Sequence, residues 1–168
     1  MTLAVVITVF ALCAIAIFLV ALGSLGSHAK QHSVDLKAFR LLMDRDDENF
    51  LRAKLSRSAF FRLKRQRTKV TWGYVSRMFF NAKIVLQGAG RERTHKNPLV
   101  VEEAAKTVAL AGQIRTQCLV AYAKMAAEYV WPSLQMTPAR LESQYESLRD
   151  SVARLASLQP QNASDVAI

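Results

Sequence analysis

Residues 3–22, LAVVITVFALCAIAIFLVAL, run for twenty positions without a charge, a glycine or a proline. Nothing else in the chain restricts its options so strongly. At ~1.5 Å per residue, a helix of that length spans ~30 Å, the thickness of a bilayer's hydrocarbon core. A helix satisfies its own backbone hydrogen bonds, so lipid accepts it. Thirteen of the positions are Leu, Ile, Val or Phe, each favouring insertion by roughly 0.3–0.6 kcal/mol near the helix centre. Residues 1–22 are therefore expected to form a single transmembrane helix. A cleaved signal peptide wants a basic residue ahead of a shorter apolar core, and no Lys or Arg precedes this one. Small residues at Ala21-Leu22-Gly23 and Ser27-His28-Ala29 keep cleavage open as an alternative, and with it a secreted or periplasmic helical protein. A buried helix of a soluble domain is seldom apolar on every face for this length.

Flanking charge sets the expected orientation. Lys30, Lys37 and Arg40 follow the run and no basic side chain precedes it, so the positive-inside rule places the C-terminal domain in the cytoplasm. Ala4 and Thr8, with Ala11, Ala14 and Ala21, offer small residues along the span. They would allow a homo-oligomer to pack there, although alanine is common in such helices regardless.

The remaining charge is uneven. Of the chain's net +10, residues 23–97 hold 17 Lys and Arg against 6 Asp and Glu, whereas residues 98–168 hold 6 against 7. The half next to the expected membrane is the cationic one. It calls for a negative partner: anionic lipid headgroups, an acidic protein surface or, as the less favoured option, nucleic acid. Two cysteines, Cys13 in the apolar run and Cys118 far along the chain, give no disulfide framework.

Residues 23–33, opening Gly-Ser-Leu-Gly-Ser, read as a flexible juxtamembrane linker. His28 and His32 stand four apart there, but two imidazoles without a third ligand are a weak metal or haem signal. From Val34 to residue 158 the hydrophobic period is helical. Asp44, Asp46, Asp47 and Glu48 lack the glycine and spacing of a calcium loop. Asp46 or Asp47 is expected to cap the next helix. That helix is predicted over residues 50–69, where Arg52, Lys54, Arg57, Arg62, Lys64, Arg65, Arg67 and Lys69 are interrupted by no acid. Phe50, Leu51, Leu55, Ala59, Phe60 and Leu63 form an apolar stripe beside them. A basic amphipathic helix of this kind lies on an anionic surface, and the same composition suits nucleic-acid phosphates or the solvated face of a bundle.

A further helix is expected over residues 70–87, its core ladder running through Val70, Tyr74, Met78, Ala82 and Val85 or Leu86, with Val75, Phe79 and Phe80 beside it. Gly73 should impose a kink or a close helix contact, and Gln87-Gly88-Ala89-Gly90 should end the helix. Asn97-Pro98 then opens the longest soluble helix with an N-cap residue and a proline at the first helical position. Pro132 should stop it near Trp131. Its core face is expected through Val101, Ala104, Ala105, Val108, Ala111, Cys118, Leu119, Tyr122, Met125, Ala126 and Tyr129, with Gly112 admitting a close neighbour. Thr137-Pro138 repeats the opening, and Leu141, Tyr145, Leu148, Val152 and Leu155 make a seam for packing on another helix. Residues 159–168 read as a disordered tail.

The expected fold class is all-α: one N-terminal transmembrane helix, then a soluble antiparallel bundle of about three main helices. No motif with a specific chemistry occurs. The three histidines have no second catalytic group at an interpretable spacing, so neither an enzyme nor a cofactor is expected. The exposed aromatic candidates for contact are Trp72 and Trp131.

Overall fold

The computed structural model describes residues 34–131 and 141–158, and among these all regular structure is helical, with no strand. The expectations for residues 1–22, for the linker 23–33 with His28 and His32, for the Thr137-Pro138 opening and for the tail 159–168 fall outside the described residues. The five helices among the described residues are α1 (Leu36–Leu42), α2 (Arg45–Lys54), α3 (Arg57–Glu92), α4 (Pro98–Val130) and α5 (Leu141–Leu158). Among the described residues no helix is long and apolar enough to cross a membrane.

Local chemistry explains most of these bounds. α4 begins as expected: the Asn97 side chain accepts from the Leu99 amide at 3.0 Å and Pro98 occupies the first helical position. It ends at Trp131, immediately before Pro132. Asp35 caps α1, its carboxylate accepting from the Ala38 amide at 3.1 Å. α2 is capped by Asp44, which accepts from the Asp46 amide at 2.9 Å. Asp46, Asp47 and Glu48 fill the first turn instead, where the helix dipole favours them.

Several expectations are corrected. Residues 50–69 are not one helix. Leu55 is extended (φ −98°, ψ 153°), and Ser56 starts a new helix, its hydroxyl accepting from the Ala59 amide at 3.4 Å. Nor does a boundary follow Lys69, because α3 continues without interruption to Glu92, through Gly73, Gly88 and Gly90. At ~1.5 Å per residue α3 is ~54 Å long. A Cβ built on Gly73 or on Gly112 would meet nothing within 4 Å, so neither glycine serves a close helix contact. Close approach belongs instead to Ala104, Ala111 and Ala121, all fully buried.

α3 and α4 form a long antiparallel hairpin, seen in the pairing of Arg65 with Tyr129, Trp72 with Tyr122 and Arg115 with Phe79. The other described helices pack on this hairpin in two instalments. α5 runs antiparallel to α4, with Glu103 facing Arg154 and Thr107 facing Ser151, and it reaches α3 where Asn81 Nδ2 donates to the Tyr145 hydroxyl at 2.7 Å. α1 and α2 cover the N-terminal half of α3. Phe39 packs on Tyr74 with ring centroids 6.0 Å apart, and Lys64 and Arg67 reach α2. α1 also meets the start of α5 through an Arg40–Glu142 ion pair at 3.1 Å.

Burial follows this arrangement rather than the simplest ladder. On α3 the buried line runs through Phe60, Lys64, Thr68, Thr71, Val75, Met78 and Ala82, leaving Val70 exposed. On α4 it runs through Val100, Ala104, Thr107, Ala111, Ile114, Cys118, Tyr122 and Met125, leaving the expected Ala105, Ala126 and Tyr129 exposed. The α5 seam is Leu141, Tyr145, Leu148, Ser151 and Leu155, with Ser151 deeper than the expected Val152.

Candidate interaction surface

The eight cations singled out in the sequence divide into two sets. Lys64 and Arg67 are built into the fold. Lys64 is only 6% exposed, and its Nζ lies 2.7 Å from Glu48 Oε1. Arg67 donates from Nη1 to Asp47 Oδ2 at 2.7 Å and from Nη2 to the carbonyls of Leu41 and Leu42 at 3.2 and 3.1 Å. Both acids lie in the first turn of α2, so that turn draws two cations of α3 inward.

The other six, Arg52, Lys54, Arg57, Arg62, Arg65 and Lys69, are exposed. Arg52 and Lys54 belong to the last turn of α2, the remainder to the first half of α3. Arg62, Arg65 and Lys69 recur at steps of three and four, which sets them along one outward ridge of α3. Three of the guanidinium groups rest against aromatic rings: Arg52 6.0 Å from the centroid of Phe60, Arg57 5.5 Å from Phe61 and Arg65 5.6 Å from Tyr129. Such contacts hold the long side chains in place while leaving charge directed at solvent. Local patterning reveals the ridge. It does not reveal the ring partner on α4, 64 positions away from Arg65, nor the acids that claim Lys64 and Arg67.

The two tryptophans separate likewise. Trp72 packs against Tyr122 at 4.9 Å and is half-buried, so it is not the exposed contact expected of it, whereas Trp131 is open to solvent.

Other polar clusters join helices together. Ser151 donates to Glu103 Oε1 at 3.0 Å and shares a 2.8 Å hydrogen bond with Thr107. Arg154 Nε reaches the same carboxylate oxygen at 3.1 Å. A serine beside a glutamate has the parts of a nucleophile and a base, but Ser151 and Thr107 are fully buried at the α4–α5 seam, where a substrate has no approach. Cys118 is buried, and that burial pushes its thiol up to about 12, away from nucleophilic reactivity. Tyr122 is raised to about 12, chiefly by burial and against the pull of its hydrogen bond to Ser76. His95 Nδ1 accepts from the Asn97 amide at 3.1 Å, which ties it to the loop before α4. Among the described residues no three His, Cys, Asp or Glu side chains gather as a metal ion would need.

Compared with known proteins, the chain matches no family model, no curated sequence and no solved structure.

Proposed function

We propose that the protein is a membrane-anchored, non-catalytic helical module that docks a partner at the cytoplasmic face of the membrane, as an accessory or scaffold subunit. The observation that carries this is the succession of an uncharged twenty-residue run and a domain whose cations crowd into the half that follows it. A tethered domain needs no high intrinsic affinity for what it meets at the membrane, because the anchor raises its local concentration there. The six exposed cations of α2 and α3 supply a surface of one sign, suited to steering an acidic partner.

The test is fractionation of native membranes after an alkaline carbonate wash, with the N-terminus of the recovered protein mapped and its cross-linked neighbours identified. The proposal expects an intact N-terminus in the washed pellet, together with a stoichiometric protein partner. A mature chain beginning near Ser24 or Lys30, or protein left in the supernatant, overturns it.

A further inference from the structure

One end of the bundle combines exposed apolar side chains with exposed cations. There α2 ends, α3 begins and α4 ends, and all three contribute to one common cavity, lined by Leu51, Phe60, Leu63, Met125 and Glu128 among others. Within four residues of these lining positions along the chain, Phe50 is 59% exposed, Leu55 37%, Val130 52% and Trp131 61%. Single exposed hydrophobes are ordinary. Four at one end, among Arg52, Arg57 and Arg65, are a composition of another kind. Trp and Tyr collect at the headgroup level of bilayers, aliphatic side chains lie just below, and Arg reaches the phosphates.

The ring contacts and the aliphatic members of the group favour lipid over nucleic acid. Bases stack on open aromatic faces. Here the rings of Phe60, Phe61 and Tyr129 each already carry a guanidinium within 6.0 Å. The apolar surface that remains sets the open rings of Phe50 and Trp131 among Leu55 and Val130, and these aliphatic side chains offer bases nothing to stack on and offer acyl chains a good match.

We infer that this end of the bundle is immersed in the headgroup layer of an anionic bilayer. Trp131, Phe50, Leu55 and Val130 lie beneath the phosphates, and Arg52, Arg57 and Arg65 bind them. The inference rests on the membrane placement proposed above and adds a defined, lipid-selective contact.

The chain has two tryptophans, so Trp72→Phe leaves Trp131 as the sole reporter. The full-length variant is reconstituted in nanodiscs of brominated phosphatidylcholine, alone or mixed equally with brominated phosphatidylglycerol. Trp131 emission should fall by about half on adding the anionic lipid, and acrylamide quenching should fall with it. Arg57→Glu with Arg65→Glu should restore both signals. In the otherwise native chain, Trp131→Phe should abolish the lipid-dependent quenching, which covers the case in which Trp72→Phe disturbs packing on Tyr122. Equal acrylamide access in both discs, or quenching that survives Trp131→Phe, overturns the inference. So does a single-stranded RNA that shields Trp131 and is not displaced by phosphatidylglycerol. Failure of the anchor itself is seen separately, as protein that does not enter the discs.

Discussion

Arg67 Nη1 lies 2.7 Å from Asp47 Oδ2 across the corner between α1 and α2. The other terminal nitrogen of the same guanidinium donates to the carbonyls of Leu41 and Leu42, in the last turn of α1. One side chain thus satisfies the C-terminal carbonyls of one helix and pairs with a first-turn acid of the next. The fork of donors makes this possible, and a lysine could not reproduce it. Arg67→Met keeps the stem and removes all three bonds. It should weaken docking of α1–α2 by about 1.5 kcal/mol, so that amides of those helices exchange about tenfold faster while the α4–α5 seam keeps its protection. Hydrogen exchange resolved by mass spectrometry checks this, and uniform acceleration across the chain would show the corner to be no separate unit.

An exposed glycine of α3, Gly73, makes a prediction of the opposite sign. Gly73 sits inside a continuous helix with open space where a side chain would be. Glycine there loses backbone entropy on folding without any compensating contact. Gly73→Ala should stabilise the protein by about 0.5–1 kcal/mol and raise the Tm by a few degrees. Thermal unfolding in detergent, followed by circular dichroism, is the measurement. A destabilised variant would mean that Gly73 faces a neighbour in the folded protein.

Gly73 also shows what sequence patterning conveys here and what it does not. The bounds of α4 were legible because Asn97, Pro98 and Pro132 act within a few residues of themselves. The α5 seam was legible for the same local reason, as was the all-helical class. The break at Leu55-Ser56 was obscured by the unbroken run of basic residues on either side, although serine is a strong N-cap residue. Composition could not show that Lys64 and Arg67 turn inward, since Glu48 and Asp47 stand 16 and 20 residues away. Of the interaction surface, the cations could be read from the sequence. The Tyr129 ring of α4 beneath Arg65 and the exposed apolar group beside the cations required the folded arrangement.

The carboxylate of Glu103 gives the α4–α5 seam an acid-sensitive component. Burial alone would raise its pKa, but hydrogen bonds from Arg154 and Ser151 and the charges of Arg154 and Lys106 outweigh it, so the group titrates below its ordinary 4.5. A carboxyl whose folded pKa is depressed contributes stability that is present above 4.5 and lost as pH falls through the lower folded value. Stability should therefore decline in that acid range, and Glu103→Gln should flatten this part of the profile. Ser151→Ala removes one donor to the carboxylate and the bond to Thr107, and should cost about 1 kcal/mol at neutral pH. Denaturant titrations at a series of pH values distinguish the two effects. An unchanged acid limb in Glu103→Gln would remove the carboxylate from the account.

At the alkaline end the sign reverses. Cys118 and Tyr122 are neutral and buried, and burial raises their pKa values from 9.0 and 10.0 to about 12 in each case. For such groups the stabilising contribution is fully present below the unfolded pKa and disappears as pH climbs from about 9 to about 12, because the unfolded chain releases these protons first. Cys118→Ala should cost about 1 kcal/mol near neutrality through the lost sulfur contacts. It should also lose less stability than the native protein between pH 9 and pH 12. The thiol chemistry must agree. With a chromogenic disulfide reagent at mildly alkaline pH, Cys118 should label only in denaturant, as followed by peptide mass mapping to separate it from Cys13. Labelling of the native protein at the unfolded rate would place Cys118 outside the α3–α4 interior. The alkaline loss would then have to be assigned to Tyr122, whose hydroxyl donates to Ser76 at 2.9 Å while Ser76 donates onward to the Trp72 carbonyl at 2.8 Å.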